Sequence, residues 1–268
     1  DYRAFLFPSW EQGQTALREI LQGEHHPATL RLSDAGETEA LFKLRESQPS
    51  AVGQFFQGLF KWYMRRWREI DPQAACLAIL GFEGSHEHVE RDRDACQALC
   101  ERNRGVSLGQ AIGDRWYESR FELPYMRDTL MDRGVLVDTL ETSTTWSRLP
   151  ALYEAVKSAI DHAIREDGLS PMIFCHISHP YHTGASLYFT FAARQIEGDE
   201  LGQWTRYKRA ATEAIIAAGG ALSHHHSIGL DHAPWMAGAV GETGLALIRG
   251  LRTACDPDEV LNPGKITG

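Results

Sequence analysis

Two strand-like apolar segments, residues 172–178 and 186–192, are joined by a short loop of histidine, proline, tyrosine and glycine residues. The loop is too short for the crossover helix that parallel strands require, so these two strands are predicted to pair antiparallel. Elsewhere strand-like segments alternate with helical ones, and no linker or internal repeat divides the chain. We therefore predict an α+β fold over residues 1–268: an antiparallel or mixed β-sheet with helices packed on one face, built from ferredoxin-like elements.

The individual elements are predicted from hydrophobic periodicity, N-cap residues and turn residues. The predicted strands lie at residues 2–7, 28–32, 76–82, 135–141, 172–178 and 186–192, with a short one from Ala221. The predicted helices lie at residues 9–21, at a short segment capped by Asp34, and at residues 50–70, 85–103, 149–166, 201–218 and 234–254. Residues 105–134 predict an irregular connection with local helix, long enough to suspect a function.

The composition excludes several classes of protein. With 43% hydrophobic and 24% charged residues, the chain has the composition of a globular protein and not of a disordered one. No apolar run approaches the length of a membrane span, and a net charge of −9 argues against a nucleic-acid-binding surface. The cysteines are few and lack a CxxC motif, which indicates a reducing compartment; Cys96 and Cys100 are expected to face the core. This cysteine usage predicts an intracellular location, and no targeting segment is visible in the sequence given.

The strongest chemical signal is the run Ser223-His-His-His-Ser-Ile-Gly229, which follows a Gly-Gly pair. Side chains alternate in direction along an extended segment, so His224 and His226 are predicted to share a face, with His225 on the other. Imidazoles titrate near neutral pH, and a pocket lined by them can move protons or bind an anion. The alternative is an exposed polar loop.

A second histidine group, His176, His179 and His182, surrounds the short loop between the two antiparallel strands. Together with the histidine run it offers a zinc-binding alternative. No carboxylate stands at a ligand-like spacing beside these residues, so we expect no metal.

Two further residues could have either a structural or a chemical role. Arg31 lies between Leu30 and Leu32 in a predicted strand, where an arginine points either to solvent or to an anion. Tyr188 lies in the middle of a strand, where a tyrosine belongs to the core more often than to an active site.

These segments, in this order, resemble the C-terminal part of FAD-linked oxidases of the vanillyl-alcohol oxidase superfamily, and most of all its alkyldihydroxyacetonephosphate synthase branch. The resemblance runs through nearly the whole chain. It is carried by residues 5–13 (FLFPSWEQG), 30–34 (LRLSD), 125–128 (YMRD), 141–146 (ETSTTW), 177–181 (ISHPY), 184–189 (GASLYF) and 219–226 (GGALSHHH).

The resemblance implies that this chain is the FAD-linked oxidase C-terminal substrate-binding domain. Its partner would be an N-terminal domain that holds most of the FAD, which explains why no phosphate-binding motif is found here. The implied catalytic residues are Tyr188, His224, His225 and His226. The residues implied to contact flavin or substrate are Arg31, Arg127, Asn262 and Lys265.

The implied reaction is an exchange of acyl for alkyl on glycerone phosphate, in which flavin N5 holds the substrate covalently. An FAD-dependent 2-hydroxyacid or alcohol dehydrogenase or oxidase is the first alternative. Two segments depart from the synthase pattern. Ser227 stands where the family usually has glycine, so the loop after the histidines is expected to differ in conformation, and residues 261–265 resemble the ending of flavin-linked 2-hydroxyacid dehydrogenases. A stand-alone anion- or acyl-binding module and a metal-dependent hydrolase are the others.

The resemblance also bears on partners and location. The substrate would be a small acyl, phosphate or hydroxyacid compound, and nucleic acid is not an expected partner. A peripheral lipid contact and a homodimer are compatible with the family. The location would be cytoplasmic in a bacterium and peroxisomal in a eukaryote.

Overall fold

The computed structural model describes residues 1–45, 70–121 and 125–266. The helix predicted at residues 50–70 therefore lies, but for its last residue, outside the described part of the chain. The strands are β1 (Tyr2–Phe7), β2 (Thr29–Ser33), β3 (Cys76–Gly81), β4 (Val106–Gly109), β5 (Val135–Thr145), β6 (Met172–Pro180) and β7 (Gly184–Arg194). The α-helices are α1 (Trp10–Gln22), α2 (Ala35–Arg45), α3 (His86–Arg102), α4 (Gln110–Ser119), α5 (Met126–Met131), α6 (Leu149–Glu166), α7 (Glu200–Ala217) and α8 (Met236–Cys255).

The described strands form one seven-stranded sheet in the order β4-β1-β3-β2-β6-β7-β5. Every neighbouring pair is antiparallel, including the hairpin of β6 and β7 whose short loop predicted that pairing. The predicted α+β class with an antiparallel sheet is confirmed. β4 and β5 form the two edges of the sheet, so β5 has a strand neighbour on one side only.

The larger hydrophobic core lies between one face of the sheet and helices α1, α3, α6 and α7. Sheet residues such as Leu187 and Phe189 pack there against Val156 of α6 and Tyr207 of α7, all with at most 1% exposure. Complete burial of one such side chain contributes about 1.5–3 kcal/mol to stability. This layer corresponds to the predicted layer of helices, but the prediction that helices pack on one face only is wrong, because two more helices pack on the opposite face.

A smaller core covers the opposite face of β1 and β3. Leu77 and Ile79 of β3 pack there with Phe42 of α2 and Trp116 of α4. The helices α2 and α4 thus shield the N-terminal half of the sheet on its second face. The C-terminal half carries polar side chains on that face, and the candidate site lies there.

Helices α1 and α3 begin at the N-cap residues that the sequence predicts. The Ser9 hydroxyl accepts from the Gln12 amide at 3.4 Å, and the Ser85 hydroxyl accepts from the His88 amide at 3.4 Å. An N-cap hydroxyl satisfies one of the free amides of the first turn, which fixes where the helix begins. On α3, Cys96 is fully buried as predicted, and burial raises the pKa of its thiol to about 12.

Two predictions of local structure are wrong. Residues 105–134 contain strand β4, which the pattern did not reveal because it is a four-residue edge strand without clear alternation. No strand starts at Ala221: the segment makes isolated bonds to β5, from the Ala221 amide to the Ser143 carbonyl at 2.9 Å and from the His224 amide to the Glu141 carbonyl at 3.1 Å. The chain then turns away.

Helix α8 is the longest described helix and is only loosely packed. Leu247 and Leu251 on it are about two-thirds exposed, and Gly241 interrupts the helical backbone with φ of 72°. Among the described residues, no helix combines the length and the apolar character needed to cross a bilayer.

Candidate active site

Four polar side chains lie on one face of the C-terminal half of the sheet. Arg31, His176 and Tyr188 alternate along their strands with buried residues of the larger core, so they point away from it. Glu141 of β5 pairs in register with Tyr188 of β7, which pairs in turn with His176 of β6. Residues directly opposite each other in a sheet share a face, so these three form a row across the strands.

One end of this row is a buried cluster of charges around Glu37, which α2 contributes. The guanidinium of Arg31 donates from Nη2 to Glu37 Oε1 at 2.8 Å, and His176 Nδ1 lies 3.0 Å from the same oxygen. Burial raises the pKa of the Glu37 carboxyl, but the opposing effects of Arg31 and His176 together are larger. The pKa of Glu37 therefore lies well below its usual range. Burial, and then Arg31, lower the pKa of His176. The neutral imidazole therefore donates its Nδ1–H to an ionised carboxylate.

The cluster leaves two buried atoms without a hydrogen-bond partner among the described residues. They are Nε of Arg31 and Oε2 of Glu37. A buried polar atom left in this way costs about 1–3 kcal/mol, so such atoms mark a place where a ligand can bind.

Tyr188 connects this cluster to the histidine run. Its ring stacks on His176, with centroids 4.8 Å apart and planes 14° apart. On its other side the ring meets His226 edge-on, with centroids 5.4 Å apart. Burial lowers the pKa of His226 below its usual value. The phenol is thereby held between two imidazoles.

The histidine run converges on the carboxylate of Glu141, whose side chain is completely buried. His225 Nε2 lies 2.6 Å from Oε2 and His226 Nε2 lies 3.4 Å from it, but neither is aligned as a hydrogen bond. His224 Nδ1 lies 3.4 Å from Oε1 of Glu141. His179, near the loop end of β6, places its Nδ1 at the same distance from Oε1. The prediction that His225 points away from its neighbours is wrong.

The backbone explains this convergence. His225 has φ of 36° and Ser227 has φ of 67°, and the His226 amide donates to the His224 carbonyl across a three-residue turn. Alternation of side chains holds only for extended backbone, and this turn brings all three rings to one side. The residue types of the run do not predict this turn, because histidine and serine seldom adopt positive φ.

Two hydroxyls, from strands β6 and β7, support the Glu141 carboxylate. Ser178 donates to Oε1, and its oxygen lies 2.7 Å from that of Ser186. Ser186 in turn accepts from the His179 amide at 3.0 Å. Burial raises the pKa of Glu141, but these hydroxyls and then His225 and His224 outweigh that effect, and the pKa lies below its usual value.

Sequence reasoning missed Glu141 and Glu37. No carboxylate stands at a ligand-like spacing beside the histidines in the sequence, but the fold brings Glu141 into contact with four of them. One signal was available: Glu141 is an acidic residue in a strand, next to the buried Leu140. Pairing that strand with the strand of Tyr188 would have placed the two in one row.

Arg127 is placed at a different part of β5. Its Nε donates to the Val137 carbonyl at 3.4 Å, and its half-exposed guanidinium lies 3.8 Å from Asp128. Val137 precedes Glu141 by about 13 Å of extended strand, at roughly 3.3 Å per residue. The contact of Arg127 with flavin or substrate stays a prediction.

Asn262 and Lys265 are placed beside α8. Their backbone carbonyls accept from the Arg252 guanidinium at 3.3 and 3.1 Å. The described contacts therefore bring Arg31, Tyr188 and the histidine run together, and attach the tail to α8. The predicted contacts of Asn262 and Lys265 with flavin or substrate are not tested by this placement.

The chain belongs to the FAD-linked oxidase C-terminal domain family, whose model matches residues 1–266. It is similar to an alkyldihydroxyacetonephosphate synthase of Dictyostelium discoideum, with 35% identity over 99% of this chain and 43% of that protein. It is also similar to an uncharacterised FAD-linked oxidoreductase, YgcU, of Escherichia coli K12, with 28% identity over 99% of this chain and 51% of that protein. A solved structure of an alkyldihydroxyacetonephosphate synthase superimposes with a TM-score of 0.76 at 31% identity, over 98% of this chain and 44% of that one.

These similarities confirm the predicted family and its synthase and oxidoreductase relatives. The chain spans less than half the length of the synthases it matches. The family is that of FAD-linked enzymes, and the chain corresponds to the C-terminal part of them.

Proposed function

We propose that this chain is the substrate-binding domain of an FAD-dependent enzyme that exchanges acyl for alkyl on glycerone phosphate, as an alkyldihydroxyacetonephosphate synthase does. One observation carries the proposal: Arg31, Tyr188 and the histidine run form one continuous set of contacts on a single polar face. The synthase similarity over nearly the whole chain supports it. An N-terminal domain holding most of the FAD would be the partner of this face.

The polar face fits the substrate side of a flavin. Nε of Arg31 is a buried donor without a hydrogen-bond partner among the described residues. Glu37 links the Arg31 guanidinium to His176, whose ring stacks on that of Tyr188. When bound, the flavin supplies the covalent-carrier or electron-accepting chemistry of the reaction. The residues of this chain would bind and orient the substrate and move its proton.

Arg31 is proposed to bind the anionic group of the substrate, a phosphate or the departing carboxylate. A guanidinium presents five donors in a rigid fork, of which Glu37 takes one at Nη2. The donors that remain suit two oxygens of one anion. Glu37 orients the guanidinium for this task.

Tyr188 is proposed to hold and transfer the proton that leaves the substrate carbon. Its hydroxyl can both donate and accept, and its ring is fixed between His176 and His226. The His226 imidazole beside it offers an acceptor for the same proton. This arrangement suits a dehydrogenase equally well, which is why the substrate must be tested directly.

The test uses the full-length protein with its flavin. Arg31→Ala and Tyr188→Phe should each lower kcat/KM by about 100-fold or more, because each removes a group that acts on the substrate, while the flavin stays bound. Arg209→Ala on the surface of α7 and Tyr117→Phe on α4 are matched controls that should leave turnover unchanged. Wild-type turnover in both site variants would refute the proposed roles.

Substrate panels separate the two reactions. Acyl-glycerone phosphate with a long-chain alcohol should give an alkyl product, with no bleaching of the flavin by 2-hydroxyacids. Bleaching by 2-hydroxyacids without any alkyl product would establish the dehydrogenase in place of the synthase. A full-length protein that carries no flavin would favour the stand-alone binding module.

A further inference from the structure

We propose that Glu141, His179, His224 and His225 form a binding site for one divalent transition-metal ion, with Zn²⁺ the best match. Each residue offers one ligand atom, and the four atoms lie within 4.8 Å of one another. Two nitrogen or oxygen ligands of a tetrahedral Zn²⁺, each about 2.0–2.1 Å from the metal, lie about 3.4 Å apart. Two pairs of ligand atoms here already have that spacing: His179 Nδ1 and His224 Nδ1 each lie 3.4 Å from Glu141 Oε1.

The donor set selects the kind of ion. Three imidazoles and one carboxylate suit zinc and its first-row neighbours, whereas Ca²⁺ and Mg²⁺ prefer oxygen ligands throughout. One ionised carboxylate also balances half of the charge of a divalent ion.

An independent observation points to a ligand at this place. Oε2 of Glu141 is completely buried and has no hydrogen-bond partner among the described residues, although His225 Nε2 is only 2.6 Å away. The other oxygen, Oε1, already accepts from Ser178. A buried carboxylate oxygen without a partner is costly, and a bound cation would satisfy it.

The partners of the ligands also fit a metal site. His224 Nε2 lies 2.9 Å from the Tyr181 hydroxyl, while its Nδ1 is buried and unpartnered and faces Glu141. Metal-bound imidazoles use one nitrogen for the metal and the other for a hydrogen bond that fixes the ring. Tyr181 and Ser178 would serve as these outer supports, for His224 and Glu141.

Such an ion would attach the histidine turn to the sheet. His179 belongs to β6 and Glu141 to β5, whereas His224 and His225 lie in the turn that carries His226 to Tyr188. The side chains of His179 and His225 are about half exposed, so both can move the short distance that coordination requires. The inference concerns metal binding alone and does not rest on the proposed reaction.

Metal analysis of the full-length protein tests this inference. After removal of metal by a chelator and dialysis against Zn²⁺, the wild type should retain one equivalent per chain. Glu141→Gln and His225→Ala should weaken Zn²⁺ binding at least 100-fold, since each removes a ligand. His162→Ala, which removes an exposed histidine paired with Glu166 on α6, is the matched control and should retain the full equivalent.

Two further measurements keep the inference falsifiable if a ligand variant folds poorly. Tyr181→Phe keeps all four ligands and should weaken Zn²⁺ binding about 10-fold to 100-fold through the lost support of His224. Co²⁺ in place of Zn²⁺ should give the visible absorption bands of a tetrahedral site. Less than stoichiometric Zn²⁺ in the wild type, or Glu141→Gln binding as tightly as the wild type, would overturn the proposal. Flavin content, measured in parallel, separates this result from the outcome for the proposed function.

Discussion

At the scale of single residues, two buried carboxylates organise the candidate site. The Glu37 carboxylate contacts Arg31 and His176. The Glu141 carboxylate contacts the histidine run. Each is an acidic side chain taken out of water, which is stable only with compensating partners. These two residues therefore determine where the cationic and imidazole groups point.

Replacing Glu37 should show how much the buried pair contributes. Glu37→Gln should lower the free energy of unfolding at pH 7 by about 3 kcal/mol, because Arg31 would remain buried without its counter-charge. The pKa of Glu37 is lowered by folding, so its stabilising contribution is complete above the unfolded pKa of about 4.3 and falls as the pH falls below that value. The difference between the variant and the wild type should therefore shrink on acidification from pH 5.

Urea unfolding at pH 7, 5 and 4 measures this difference. Glu39→Gln is the matched control on the same helix, since Glu39 makes an exposed pair with Lys43 that is worth at most about 0.5 kcal/mol. Equal losses in the two variants would contradict the role given to Glu37.

The resemblance to a family predicted roles for Arg31, Tyr188 and the histidine run, and the structure brings these residues into one set of contacts, whereas pattern alone left each of them ambiguous. Neither the resemblance nor the sequence pattern predicted a role for Glu37 or Glu141. A carboxylate near a strand looks exposed in a sequence, and only the pairing of distant strands shows which groups surround it. Site geometry here depends on contacts between residues more than a hundred positions apart, such as Glu37 and His176.

At the scale of elements, the sequence predicted those features correctly that depend on neighbouring residues. The cap of α3 at Ser85, the span of α6 and the β6–β7 hairpin were predictable because capping, periodicity and loop length are local properties. β4 and the turn at His225 were not, because an edge strand and a positive φ depend on what the rest of the fold supplies. The order of the strands in the sheet could not be predicted either, since a short loop specifies the pairing of only the two strands that it joins.

Helix α4 is held close to β1 by a glycine. A Cβ on Gly113 would lie 2.5 Å from the backbone of Tyr2, which cannot move aside as a side chain can. Gly113→Ala should therefore lower the free energy of unfolding by about 1–3 kcal/mol. In Gly250→Ala on α8 the added Cβ meets nothing within 4 Å, and helix propensity should raise stability by up to about 1 kcal/mol.

Thermal unfolding of the two variants, monitored by circular dichroism, checks this prediction. A rise in the melting temperature of Gly113→Ala would mean that α4 and β1 are not in close contact.

At the scale of the whole molecule, the chain matches about half or less of the length of each relative described above. We propose that its polar face meets a substrate and one edge of a flavin; the sequence given contains no recognised nucleotide-binding motif. The family and the α+β architecture could be predicted from the sequence because they are spread over many colinear segments.

A flavin titration of residues 1–268 alone tests this division of labour. We expect weak FAD binding or none, with most of the affinity supplied by the N-terminal domain of the full-length protein. Circular dichroism of the same sample must show the mixed α and β content expected of the fold. Tight one-to-one binding of FAD by these 268 residues would contradict the proposed arrangement.

The position of β5 at the margin of the sheet has a consequence for handling the protein. An outermost strand with free amides and carbonyls can recruit the same strand of another molecule. Here the amides of Ala221 and His224 occupy carbonyls of β5, so the histidine segment also screens that margin. Deleting or unfolding this segment should promote self-association as well as loss of function, and light scattering would detect the aggregates.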